Sequence, residues 1–300
     1  MSFPDVRGHA EARERLARAH AAGNLAQSIL LHGPAGIGKE RLGLWIAQLV
    51  LCDRPTAEGP CGECRNCKAV LRLEHPDVHW FFPLPRPEGA AADRLREKLE
   101  EHRAAELQLR RESPNRVPGF EKAPAHFLAA IQSLQHLASM RPAAGSRKVF
   151  VVGDAELMVP QESSPEAANA FLKLLEEPPA DTTLVLTSAQ PGALLPTILS
   201  RVLPLRLAPV PESEIADFLV RELQRDPQEA ASIARRAHGA PGRALRLLPE
   251  YEGAGAADKL RKKGRELLVA ALSSGAAPRL GAAHSQPPAG GRGTFSDELD

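Results

Sequence analysis

The residues with the most chemistry in them lie in a few short stretches. The first, residues 28–42, reads SILLHGPAGIGKERL. An apolar run leads into Gly33, Pro34, Gly36, Gly38 and Lys39, which match the GxxxxGK phosphate-binding pattern in its proper place between a strand and a helix. Glycines let backbone N–H groups curl round phosphate oxygens, the helix start adds partial positive charge, and Lys39 neutralises terminal phosphates. Position 40 should offer a Ser or Thr hydroxyl to magnesium, but it holds Glu40. A carboxylate can ligate magnesium, yet its reach and its charge beside phosphates work against the usual geometry.

An acidic residue should end the next core strand of such a site. Asp154 does so, closing VFVVGD. A Glu directly after it would polarise water, but Ala155 stands there and Glu156 comes one step later, directed elsewhere. ATP and magnesium are the ligands this loop shape serves, and the two departures argue against their use in hydrolysis. The expectation is a retained P-loop fold with little or no turnover by this chain alone.

All four cysteines, Cys52, Cys61, Cys64 and Cys67, fall in one stretch with the spacing C-x8-C-x2-C-x2-C. Tetrahedral zinc takes four thiolates, and CxxC steps deliver them from short turns. Iron–sulfur ligation uses similar residues, and free or redox-active thiols are a third reading. The module sits between a helix and a strand with no electron-transfer partner in view, which favours structural zinc.

These residues need a scaffold. Helical spacing runs over 10–22 and ends at Gly23-Asn24, a C-cap signal. Five strands are expected: 28–32, 77–82, 148–154, 182–188 and 203–208. Helices at 41–50, 127–140 and within SSPEAANAFLKLLEEPP alternate with them, and such alternation indicates a parallel α/β sheet. After Pro209 the chain turns helical, at 212–225, 227–238, 243–248 and 256–272. A Gly-, Ala- and Pro-rich tail covers 275–293, and FSDELD reads as the start of a helix. Between 83 and 125 a Pro/Gly/Ala linker, a dense mixed-charge helix and a second breaker region read as a surface insertion. A solvated helix is expected there rather than a binding element.

Composition sets wider bounds. Three hundred residues suit one larger domain and one or two small ones. With 4% aromatics the core must come mainly from Leu, Ala, Val and Ile. A formal net charge of +1 argues against bulk electrostatic coating of nucleic acid. No signal peptide and no apolar run of membrane-spanning length is present in the sequence, so a cytoplasmic protein without a membrane partner is expected.

The P-loop, the cysteine insertion, HPD at 75–77, NAFLKLLEEPP at 169–179 and TILSRV at 197–202 form an ordered set. Together they resemble the clamp-loader subunits of bacterial DNA polymerase III, within the AAA+ superfamily, over roughly residues 3–248. The resemblance implies a P-loop AAA+ core at 1–208 carrying the zinc module at 52–67 and the insertion at 83–125. It implies a helical lid at 209–250, and at 251–300 a short or truncated part of the helical collar, with a flexible tail. Two paralogous branches compete. Glu40 and Ala155 fit the delta-prime stator better than the gamma/tau ATPase motor, and so does GAPGRAL, where Arg243 is out of register for a nucleotide-sensing arginine. The partners implied are gamma/tau and delta subunits, with the sliding clamp and primer-template DNA reached through the complex. Arg201, in the position of the family's SRC arginine, would be a finger that reaches a neighbour's ATP; Val202 replaces the Cys. The rival function is an active gamma/tau-like ATPase, and a third is a stand-alone zinc-binding DNA module.

Overall fold

The computed structural model describes residues 6–89, 92–120, 122–158, 166–248, 264, 267–269 and 272. The expected tail at 275–293, FSDELD and most of the helix at 256–272 lie outside them. Residues 1–245 form one compact unit and 246–300 a second.

Helix α1 (Ala10–Ala21) precedes strand β1 (Ser28–His32), and the glycine loop then opens α2 (Lys39–Leu51). The cysteine segment contains α3 (Arg65–Leu71) and leads to β2 (Val78–Phe81). The insertion carries α4 (Leu95–Glu112); α5 (Leu128–Ser139), β3 (Lys148–Val152), α6 (Glu166–Glu176) and β4 (Thr182–Ser188) follow. A short α7 (Pro196–Leu199) turns the chain into β5 (Leu203–Arg206), and α8 (Glu212–Leu223), α9 (Pro227–Ala237) and α10 (Pro241–Arg246) follow.

The five strands form one parallel sheet in the order β2-β3-β4-β1-β5, as the alternating pattern predicts. Every residue of β3 and β4 is buried, because a parallel sheet is covered by helices on both faces. Successive side chains point to opposite faces. Ile29, Leu31, Val149, Val151 and Val185 therefore join one apolar cluster with α2 residues such as Leu42 and Ile46. Leu30, Phe150, Val152, Leu184 and Leu186 join the other, with Ile131 and Leu134 of α5 and Phe171 of α6. Leu30 lies beside Leu186 in β4, and Leu186 beside Val152 in β3. This register brings the ends of β1 and β3 to one edge, so the glycine loop and Asp154 emerge on either side of β4 at the carboxyl ends of the strands, where α/β sheets bind ligands.

Two structural braces account for otherwise odd residues. Asp77 of the HPD motif is buried and accepts the N–H groups of Ala143, Ala144 and Gly145, which shapes the turn ahead of β3. Lys148 is buried too; its Nζ donates to the carbonyls of Leu137, Ala138 and Met140, so the lysine closes the C-terminal end of α5.

The insertion corrects the sequence reading. Its neck closes through paired backbone hydrogen bonds between Leu84 and Ala125, of 3.1 and 3.0 Å. Helix α4 is packed against the domain: Leu99, Glu106 and Arg110 expose only 2%, 5% and 7% of their surface. Leu95 and Leu107 pack on the first apolar cluster, and Arg96 Nε donates to Ser133 Oγ of α5 at 3.0 Å. Arg103 lies over the ring of Phe81 at 4.5 Å. The charge density misled because the inward charges pair with one another or stack on aromatic faces, while their aliphatic stems cover apolar surface.

Candidate functional site

The glycine loop is built as its spacing demands. Gly33 has φ +153°, and a Cβ there would stand 2.6 Å from the carbonyl oxygen of Leu207. Gly36 has φ +78°, and its carbonyl accepts the Gly242 N–H at the start of α10 at 2.8 Å. His9 Nε2 lies 2.8 Å from the Ile37 carbonyl and donates to it. Lys39 is buried, and its Nζ donates to the carbonyls of Gly33 and Pro34, each at 3.0 Å. Burial lowers the Lys39 pKa, while the charges of Asp154, Glu156 and Glu40 oppose that shift. The lysine is thus folded onto its own loop, with carboxylates near enough to stabilise its charge.

Glu40 does not point outward from the loop. Its carboxylate lies over Gly153, so closely that a Cβ at that residue would be 1.8 Å from Glu40 Oε1. Withdrawal from water raises the Glu40 pKa to about 7; Arg110 opposes the rise and Asp154 adds to it. Arg110 Nη1 stands 3.7 Å from Glu40 Oε2. That guanidinium is sandwiched in place, 3.8 Å from the Phe82 ring centre and 4.3 Å from that of Trp80. Glu106, one turn earlier on α4, accepts from Arg110 Nε at 3.1 Å and from Arg116 at 2.6 and 2.7 Å. On α2, Arg41 donates to the Pro114 carbonyl at 2.6 Å and to Asn115 Oδ1 at 3.2 Å.

The second departure is built in as firmly. Asp154 takes φ +44°, a left-handed conformation Asp tolerates better than most residues, and its N–H donates to Thr187 Oγ1 at 3.0 Å. Ala155 is fully buried within the second apolar cluster, a place unsuited to a water-polarising carboxylate. Glu156 is directed elsewhere, as expected: its Oε1 accepts the N–H groups of Ala189 and Gln190 at the end of β4. Beneath them His126, buried, donates from Nε2 to the Gly153 carbonyl at 2.7 Å, and burial lowers its pKa to about 4, so the ring is neutral.

The four cysteines converge. Their sulfurs all lie within 4.8 Å of one another, and Cys64 and Cys67 are buried. A tetrahedral four-thiolate centre with metal–sulfur bonds of about 2.3 Å needs sulfurs about 3.8 Å apart, so the cluster fits a metal ion. Backbone N–H groups already point at the sulfurs: Arg54 and Cys61 donate to Cys52 Sγ, Cys64 to Cys61 Sγ, and Cys67 to Cys64 Sγ, at 3.3–3.4 Å. Such donation lowers the Cys61 pKa to about 6, whereas burial raises those of Cys52 and Cys67. The module is also tied to α2, where Gln48 Nε2 donates to the Cys67 carbonyl at 3.3 Å.

A family model described as DNA polymerase III, delta subunit, matches residues 8–211. The chain belongs to this family. Among its relatives, the DNA polymerase III subunit delta' of Pseudomonas aeruginosa is 37% identical over 74% of this chain and 56% of the relative. The Escherichia coli subunit delta' is 30% identical over 78% of this chain and 58% of its own. The tau/gamma subunit of Haemophilus influenzae is 27% identical over 80% of this chain and 29% of its own. Identity is higher to these two delta' proteins than to this tau/gamma protein, in keeping with the branch that Glu40 and Ala155 favoured. The chain spans little more than half the length of these delta' relatives.

Two motifs that carried the resemblance to the clamp-loader subunits of DNA polymerase III meet in space. Arg201 is exposed after α7; its Nη1 donates to the Thr197 carbonyl at 2.9 Å and to Ser200 Oγ at 3.1 Å. Its Nη2 lies 2.9 Å from Oε1 of Glu176, in LLEEPP. Arg243 is exposed, while its backbone N lies close beside Gly36. Sequence reasoning missed Arg110, Glu106, Arg41 and His126. The usable signals were the ring-rich strand WFF, which offers faces to cations, and the Glu106-Arg110 pair one helical turn apart.

Proposed function

We propose that this chain serves as a delta-prime-like stator of the DNA polymerase III clamp loader, contributing structure to ATP-driven clamp loading without catalysing hydrolysis itself. The observation that carries this is the P-loop corner, where Glu40 lies on Gly153 beside Arg110 and Ala155 is buried in apolar surroundings. Neither the hydroxyl for magnesium nor the carboxylate for water is present. The delta' names of the relatives at 37% and 30% identity support the same branch. Its partners would be gamma/tau and delta subunits, and through them the sliding clamp and primer-template DNA, in the cytoplasm. Residues 1–208 would be the core, 209–250 the lid and 251–300 part of a collar.

Arg201 would act on a neighbouring subunit's ATP, where a guanidinium stabilises charge developing on the transferred phosphoryl group. Its present partner Glu176 is no obstacle, since an exposed ion pair is worth only about 0–1 kcal/mol. The four thiolates Cys52, Cys61, Cys64 and Cys67 would hold structural zinc; a closed four-sulfur shell leaves no open position for catalysis.

The test is ATP turnover by the isolated chain and then by a complex with gamma/tau and delta. Robust turnover by the chain alone would sink the stator reading in favour of the motor. In the complex, Arg201→Ala should leave assembly intact and lower turnover; unchanged turnover would remove the finger.

A further inference from the structure

We propose that the 83–125 insertion is a strap that supplies the P-loop with a built-in cation, Arg110, so that docked strap and metal-bound nucleotide exclude each other at this corner. The proposal rests on the degenerate-site reading above and goes further, by naming what fills the site.

Several contacts place the strap. The residue after the P-loop lysine is the one whose side chain faces the metal in working loops, and here that side chain, Glu40, lies against Gly153 with Arg110 Nη1 3.7 Å from its Oε2. The guanidinium is not a passing surface group. It is 7% exposed, packed on Trp80 and Phe82 and held from behind by Glu106. A buried Arg–Glu pair with a second arginine, Arg116, on the same carboxylate gives the strap one docked geometry. Two further ties hold its end: Arg41 grips Pro114 and Asn115, and Arg111 donates to the Leu73 carbonyl, just past the cysteine module.

Charge bookkeeping gives the strap its purpose. Glu40 and Asp154 are close enough to repel each other; Lys39, which donates to its own loop, and Arg41 offset part of that charge at Glu40, and Arg110 offsets more. A divalent cation would ordinarily sit among such carboxylates; beside Glu40 the guanidinium of Arg110 stands in that place. The cost is exclusivity, because a guanidinium and a hydrated magnesium cannot share the same carboxylate neighbourhood. The strap thus makes the corner independent of metal and closed to it.

The closed neck at Leu84–Ala125 makes the strap removable in principle, since its ends already lie together. The experiment compares the full chain with Arg110→Met and with a variant in which residues 87–122 are replaced by a short Gly-Ser linker. The probes are Mn²⁺ alone, followed by electron paramagnetic resonance, and a fluorescent ADP analogue with and without Mg²⁺. The full chain should bind neither Mn²⁺ nor the analogue in a metal-dependent way. Arg110→Met should gain Mn²⁺ binding, and at least one of the two variants should bind the analogue with Mg²⁺ at least tenfold more tightly than the full chain. If the linker variant does not fold, Arg110→Met still decides. Metal-dependent binding by the full chain with no rise in amide exchange over 95–112 would overturn the strap's exclusivity. No gain in Arg110→Met would overturn the cation role. ATP turnover by the full chain is a separate outcome, which would end the stator reading as well.

Discussion

Two clusters in this domain carry groups that could hold cations, and they are arranged in opposite ways. The cysteine cluster keeps its full ligand set, with sulfurs converged and backbone N–H groups aimed at them. The P-loop corner keeps its backbone but fills its metal neighbourhood with protein: Glu40 on Gly153, Arg110 beside it, Lys39 folded onto loop carbonyls. The difference is one of dependence. A small module of turns with few apolar residues would draw folding energy from a bound metal. The P-loop is gripped by the sheet and by contacts from His9 and Gly242, so the fold itself holds its shape.

The contrast is broken most severely at the cysteines. Cys67→Ser removes a buried thiol of the candidate metal cluster near the start of α3, and because structural metal binding would be folding energy, the cost should be the largest of those predicted here. Metal analysis of the unaltered chain should give about one zinc per chain. The variant should retain far less, with a melting temperature lower by roughly 10 °C or more. A variant that loses its metal but melts normally would mean that the module does not depend on it.

Glu106→Ala is expected to come next, and it acts on the other cluster. It removes the carboxylate that Arg110 and Arg116 share and leaves Arg110, almost wholly removed from water, with the longer 3.7 Å contact to Glu40. Breaking one side of a buried pair costs about 3–5 kcal/mol, toward the low end here since Arg116 is partly exposed. Denaturant unfolding measures it. A loss below about 1 kcal/mol would mean that the strap is held as a surface element.

How much of this the sequence disclosed depended on the range of the interaction. Strand alternation and the GxxxxGK loop are local patterns, so the five-stranded parallel sheet and the loop's position were legible. The cysteine cluster was legible because a single ion gathers its ligands from one short stretch. Glu40 and Ala155 could be seen as departures, but the manner in which Glu40 is satisfied could not. Its neighbour Arg110 lies seventy positions further along the chain, on a helix whose charge made it look solvated. The same applies to Arg201 and Glu176: each stood in a motif that could be recognised, while their contact depends on how α6 and α7 pack.

A smaller effect should come from Gly153→Ala. The added methyl would collide with Glu40 Oε1, the far end of a side chain that can move, so the cost is that of displacing the carboxylate, on the order of 1–2 kcal/mol. Glu40→Ala opens the space. The double variant should therefore lose less than the sum of the two single losses, by at least about 0.5 kcal/mol. Strict additivity would show that Glu40 does not rest on Gly153.

The smallest effect is a pH dependence, and its sign tests which protonation state of Glu40 the corner prefers. Its pKa is raised from 4.5 to about 7, chiefly by burial, so between those values the folded chain binds a proton that the unfolded chain has released. Stability contributed by this group is then present below pH 4.5 and is lost as pH rises toward 7. Glu40→Gln imitates the protonated acid and removes that loss. Its melting temperature relative to the unaltered chain should climb with pH across the interval. The whole shift would be worth about 3 kcal/mol, but the Glu40 side chain is 28% exposed and water screens it, so a gain on the order of 1 kcal/mol, about 2–4 °C, is expected by pH 8. Half-buried His79 and buried His126, whose pKa values desolvation lowers to about 4, act in the opposite sense: they destabilise the fold as pH falls below 6.5. They are present in both chains, so the difference between the two melting curves cancels them and isolates position 40. A difference that shrinks with rising pH would mean that attraction to Arg110 outweighs the loss of water. Glu40 and Arg110 would then be a stabilising ion pair in their own right, and the corner would resemble the cysteine cluster more closely than its geometry indicates.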